Sequence, residues 1–147
     1  MSQLGRLHRV ATNPATQFIN ALAQNAGEYL GLTIGELGIL AKGRVVHVAL
    51  RTVENKDWEI YFFATAANNT GLPSTNKYLG RCAFVVADGK QIAGAGLFLY
   101  DKTCDVPIHD EGGASKVHMV LVNRGTLTTA GADRIGVELH IDPTHGD

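Results

Sequence analysis

The residues Cys104-Asp105-Val106-Pro107-Ile108-His109-Asp110-Glu111-Gly112-Gly113 put a thiol, an imidazole and three carboxylates close together in the chain. A Cys–His pair there could raise a thiolate, and the carboxylates could take a hard cation such as calcium. Proximity in sequence does not deliver geometry, however, and the Pro and Gly-Gly punctuation equally marks an exposed connection. His47, His118 and His140 form a second group, each in the middle of an alternating segment, and scattered histidines can converge on a metal inside a barrel. Parity opposes this. His140 shares a face with Glu138 and Asp142, opposite Val137, Leu139 and Ile141, and is expected at solvent or at a neighbouring subunit. His118 shares parity with Lys116 but also with Val120 and Val122, and no HxH or HxxxH pair occurs. Cys82 and Cys104 stand in no zinc spacing and read as two reduced thiols. Gly94-Ala95-Gly96 lacks the third glycine of a dinucleotide loop, since position 99 is Leu, and there is no GxSxG, HExxH or P-loop. The expectation is therefore no catalytic residue, no metal and no cofactor.

The elements that would position these groups follow from periodicity. After Asn13-Pro14, a good helix start, Phe18, Ile19, Leu22, Ala23, Ala26 and Leu30 recur at three and four, which predicts one N-terminal helix ended by Gly27 or Gly31. Residues 31–43 carry four glycines and read as irregular or edge-strand chain. From Arg44 the period becomes two. Strands are predicted near 44–53, 58–66, 81–87, 91–100, 116–123 and 134–141. The first two are expected to pair as a hairpin, as are the third and fourth, the latter through Asp88-Gly89. Asp101 to Ser115 reads as a long acidic loop. The fold class is mainly β: an antiparallel β-sandwich or open barrel with an extended N-terminal arm and one N-terminal helix. Residues 1–12 would be the arm and residues 13–147 a single β-rich domain.

The arm is defined by Leu4, Leu7 and Val10, too sparse for a core helix, together with Arg6 and Arg9 and no acidic residue before Glu28. Leu4, Arg6, Leu7, Arg9 and Val10 are thus the candidate partner-binding residues, suited to an acidic groove. Trp58, Phe62, Phe84 and Phe98 would wall a pocket if the body bound a small ligand, and otherwise form the core.

At 147 residues, 45% hydrophobic, the chain is long enough for one domain with a real core and too short for two of typical size. A net charge of −1 gives no broad basic surface, which disfavours nucleic acid as a partner. No apolar stretch approaches the roughly 20 residues of a bilayer-spanning helix, and the polar, proline-broken stretch after Arg9 does not read as a signal peptide.

An all-β body behind an apolar-basic arm, with Asn/Thr/Gly-rich loops and no active-site signature, resembles the capsid decoration, or cement, proteins of tailed bacteriophages. The resemblance lies in layout and carries no family residue over to a position here. It implies a homo-oligomer that binds a major capsid protein, with the arm or a loop clamping shell subunits. It also implies a virion location after assembly in the host cytoplasm. Tail-tube and other virion proteins resemble the chain in role, with residues 66–78 as the stacking hairpin they need. A small-ligand-binding β-barrel or cupin-like enzyme is the alternative of another class.

Overall fold

The computed structural model describes residues 9–12, 19–21, 29–34, 42–52, 55–65, 77–92, 97–113, 116–124 and 133–143. Within them the chain forms two antiparallel sheets. The strands are β1 (Arg9–Thr12), β2 (Ile19–Ala21), β3 (Tyr29–Ile34), β4 (Lys42–Thr52), β5 (Trp58–Phe63), β6 (Tyr78–Phe84), β7 (Lys90–Ile92), β8 (Leu97–His109), β9 (Val117–Asn123) and β10 (Asp133–Pro143). One sheet runs β1-β10-β4-β8-β7, with β2 also on β10, and the other runs β3-β9-β5-β6.

Alternation supplies the packing between the sheets. Val48, Leu50 and Thr52 of β4, Tyr100, Val106 and Ile108 of β8, and Val137, Leu139 and Ile141 of β10 are buried on the inner face of the first sheet. They meet Trp58, Ile60 and Phe62 of β5, Cys82 and Phe84 of β6, and Val117, Met119 and Leu121 of β9. This is the face-to-face packing of a sandwich, in which each strand gives every second residue to one shared core. Trp58, Phe62 and Phe84, which the sequence left open as pocket walls or core, are core here, with Phe98 packed against them.

Several sequence expectations are corrected. The helix from Asn13 or Pro14 is not supported: Ile19–Ala21 pairs with Asp133–Ile135, and Tyr29–Ile34 pairs with Val117–Val122 as the edge of the second sheet. The remaining residues of that predicted helix lie outside the described ones. Tertiary pairing has overridden a three-four apolar spacing. The expected hairpin of 44–53 with 58–66 does not form either, because β4 pairs with β8 and β10 while β5 pairs with β6 and β9. The connection crosses from one sheet to the other. Lys56 donates its amide to the Tyr100 hydroxyl at 2.8 Å, that hydroxyl donates to Asn55 Oδ1 at 2.5 Å, and Arg124 donates its amide to Asp57 O at 2.8 Å.

Asp88-Gly89 also makes a crossing. A 3-10 turn over Val86–Asp88 links β6 to β7 in the other sheet, with Asp88 Oδ2 accepting the Val85 amide at 2.9 Å. Gly89 has an ordinary negative φ, and its place is fixed by crowding, since a Cβ there would overlap Asn55 and press on the Tyr100 ring. The acidic "loop" from Asp101 is largely strand, because β8 continues to His109 against β4. Its period of two is hidden in the sequence by charge: Asp101, Thr103, Asp105, Pro107 and His109 are exposed, while Cys104, Val106 and Ile108 turn inward. Pro107 is tolerated because β7 pairs only with Leu97–Leu99, so no described strand asks for a donor on that side of β8.

A bulge at Val46 shifts the register of β4 against both neighbours, between Val45 and His47. It puts Val45 inside in place of Val46, while His47 keeps the outer face that it shares by alternation with Ala49 and Arg51.

Candidate interaction surface

The exposed large apolar side chains of the described residues are Tyr78 at 50%, Val85 at 51% and Val86 at 48%, and all lie on β6 or in the turn after it. Among the described residues β6 is the edge of the second sheet, paired with β5 alone. Alternation explains what stands beside them. With Trp58, Ile60 and Phe62 inward, Glu59 and Tyr61 must face out, next to Arg81. Glu59 accepts from Tyr61 Oη at 2.8 Å, from Arg124 Nε at 2.8 Å and from Arg81 at 2.7 Å. Tyr78 covers the edge of this group, with ring centroids 6.1 Å from Tyr61 and 6.0 Å from Phe63.

Burial alone would disfavour the Glu59 carboxylate. The donors from Arg124 and Tyr61, and the charges of Arg124 and Arg81, outweigh it and hold its pKa below the usual value. The Glu59 hydrogen bond holds the Arg124 pKa high in return. Two guanidiniums share the Glu59 carboxylate, and Asp57 and Asp88 accept the amides of Val86 and Val85, so the edge carries charges of both signs around its exposed tyrosine and two valines. Tyr and Arg are the side chains that protein interfaces favour at their centres.

Of the sequence-predicted partner residues, Arg9 and Val10 lie in β1, opposite Ile141 and His140 at the edge of the first sheet. Leu4, Arg6 and Leu7 lie outside the described residues. His47 and His140 are cross-strand partners on the outer face of the first sheet, with rings edge to face at 5.0 Å. His47 also pairs with Asp101, and His140 Nε2 lies 2.9 Å from Glu138 Oε2. His118 is on the other sheet, 3.1 Å from Asp110.

The residues 104–113 do not form one site. Cys104 points into the sandwich, Asp105 pairs with Arg44 at 2.5 Å, Asp110 goes to His118, and Glu111 pairs with Lys77 at 2.7 Å. Among the described residues no group of three potential metal ligands forms, and no helix is long and apolar enough to cross a membrane. Sequence reasoning missed the Glu59 patch, although the parity that buried Trp58 and Ile60 also exposed Glu59 and Tyr61. Arg124 had no such signal, because it stands just past the end of β9. No protein-family model matches the chain, and no curated protein matches it.

Proposed function

We propose that this protein is a structural assembly protein, a virion capsid decoration protein that binds the outside of a shell of major capsid protein and self-associates there. The observation that carries the reading is the gathering of Tyr78, Val85 and Val86 on one sheet edge beside Arg81 and Arg124. Exposed apolar side chains on an edge strand are a liability for a solitary molecule and an asset for one that assembles. Arg6 of the proposed arm and Arg9 of β1 suit an acidic groove on a partner. The interior favours this reading over a small-ligand barrel, because Trp58, Tyr100, Phe62, Phe84 and Met119 fill the space between the sheets.

The test is co-sedimentation with shells of the major capsid protein encoded beside its gene. Saturable binding is expected, weakened at least about tenfold by Tyr78→Ala combined with Arg81→Ala. Deleting residues 1–8 spares β1 and is expected to leave the melting temperature nearly unchanged while weakening binding. A protein that ignores the shells and stays monomeric at high concentration overturns the reading.

A further inference from the structure

At the corner where the two sheets meet, three pairs of residues on β6 and β8 face each other in strict antiparallel order. A Cβ on Gly80 would lie 2.9 Å from Val106 Cγ1, and the Lys102 ammonium sits 5.9 Å from the centre of the Phe84 ring. Midway between them, Cys82 and Cys104 stand next to each other, close enough for each thiol to shift the other's pKa, and Cys104 Sγ donates to Val45 O at 3.5 Å. Each pair is two residues on from the last along both strands, so the facing of the cysteines is fixed by the backbone course on either side. Lys102 Nζ also donates to Ala83 O at 2.6 Å, which ties the strands together beside the thiols. Gly80 permits the approach, since any side chain there would push β6 off Val106.

We propose that Cys82 and Cys104 are a redox-active pair that closes to a disulfide joining the two sheets. The oxidant is a small-molecule disulfide of the glutathione class. The pair shares its first negative charge, which rests on Cys82. There burial opposes it, but the neighbouring Cys104 thiol and the nearby Lys102 ammonium favour it, and the Cys82 pKa is lowered. Cys104 is the less buried of the two and meets the oxidant. A proton passes from Cys104 to Cys82, and the Cys104 sulfur attacks the oxidant's S–S bond. A mixed disulfide forms and one thiolate leaves. Cys82 then gives its proton to water, attacks the Cys104 sulfur and expels the second thiolate. Two protein thiols and one small disulfide become one protein disulfide and two small thiols. The product ties the edge strand β6 to the first sheet and encloses β7.

The test uses the full chain equilibrated in buffers of graded reduced and oxidised glutathione, then acid-quenched, alkylated and weighed. The expected product is a monomer lighter by two hydrogens, with neither thiol alkylated and a melting temperature higher by roughly 6–12 °C. Cys82→Ala is expected to stop at a glutathione adduct on Cys104 with no such rise. Wild-type protein that keeps both thiols in the most oxidising buffer, stops at the mixed disulfide, or links chain to chain overturns the proposal. None of these wild-type readings depends on how well the variant folds.

Discussion

Among the described residues imidazole and carboxylate meet in two regions, sealed in one and open in the other. Under the turn between β8 and β9, the side chains of His118 and Asp110 are only 8% and 4% exposed, and Asp110 also accepts the amides of Gly112 at 2.9 Å and Lys116 at 3.2 Å. On the outer face of the first sheet, His47 and Asp101 are 29% and 57% exposed, and His140 and Glu138 are 36% and 32% exposed. The side-chain types are alike and the surroundings differ. In the sealed pair the carboxylate also organises backbone: Gly113 takes a φ of 76° and donates to Asp110 O at 3.1 Å to close the turn. Glu111 extends this hold by donating its amide to Ala64 O at 2.9 Å, joining the turn to the end of β5. A pair that water can replace contributes little, and one whose loss strands buried donors contributes much.

The largest expected effect follows from that asymmetry. Asp110→Ala removes the acceptor of a buried ring nitrogen and two amides, and is expected to cost roughly 2–4 kcal/mol in urea unfolding. Asp110→Asn keeps an acceptor oxygen and is expected to cost less. Equal losses from Asp110→Ala and from the exposed pairs would break the comparison.

Acid is expected to find the sealed pair as well. Burial pushes the Asp110 pKa up, but the hydrogen bonds from His118, Gly112 and Lys116 outweigh it, and the net pKa is lowered. A carboxyl whose pKa is lower folded than unfolded contributes its full stability above the unfolded value. That contribution is lost as pH falls through the folded value. The melting temperature should therefore hold down to about pH 5 and decline below about pH 4, where an ordinary Asp titrates. Asp110→Asn should flatten part of that decline, and an unchanged acid limb would show that Asp110 does not carry it. Glu59 shifts the same way, so some of the slope survives the substitution.

Glu59 stands between the two extremes, with its side chain 16% exposed and three donors on it, two of them on half-exposed arginines. Glu59→Gln is expected to cost about 1–2 kcal/mol, less than Asp110→Ala. The difference should widen in high salt, which screens the arginines more than the buried turn.

Little of this contrast was legible in the sequence, for a physical reason. Alternation reports which residues share a face, and it placed Trp58, Ile60 and Phe62 together and set Glu138, His140 and Asp142 against Val137, Leu139 and Ile141. It does not report which strand lies alongside. The meeting of His47 with His140 depends on the pairing of β4 with β10, which leaves no local mark. The expected hairpins failed for the same reason: a strand with one apolar row is satisfied equally by a neighbour beside it or a sheet opposite it. Cys82 and Cys104 meet only because β6 and β8 belong to different sheets that converge at one edge. Spacing along the chain carries no trace of such a contact.

The smallest expected effect lies on the open face. Glu138 and His140 sit two residues apart on one strand and point the same way, so their contact closes no turn and holds no second element. Asp101 reaches His47 from β8 to β4, which adds a cross-strand tie, but more than half of its side chain remains in water. Exposed pairs of this kind exchange a modest Coulomb attraction for the freedom of two side chains, and contribute about 0.2–1 kcal/mol. Glu138→Gln is expected near the lower end and Asp101→Asn near the upper. Both differences should shrink in high salt, because the Debye length falls from about 10 Å at 0.1 M to about 3 Å at 1 M. A loss on Asp101→Asn as large as that on Asp110→Ala would make cross-strand position, and not burial, the property that separates the two regions.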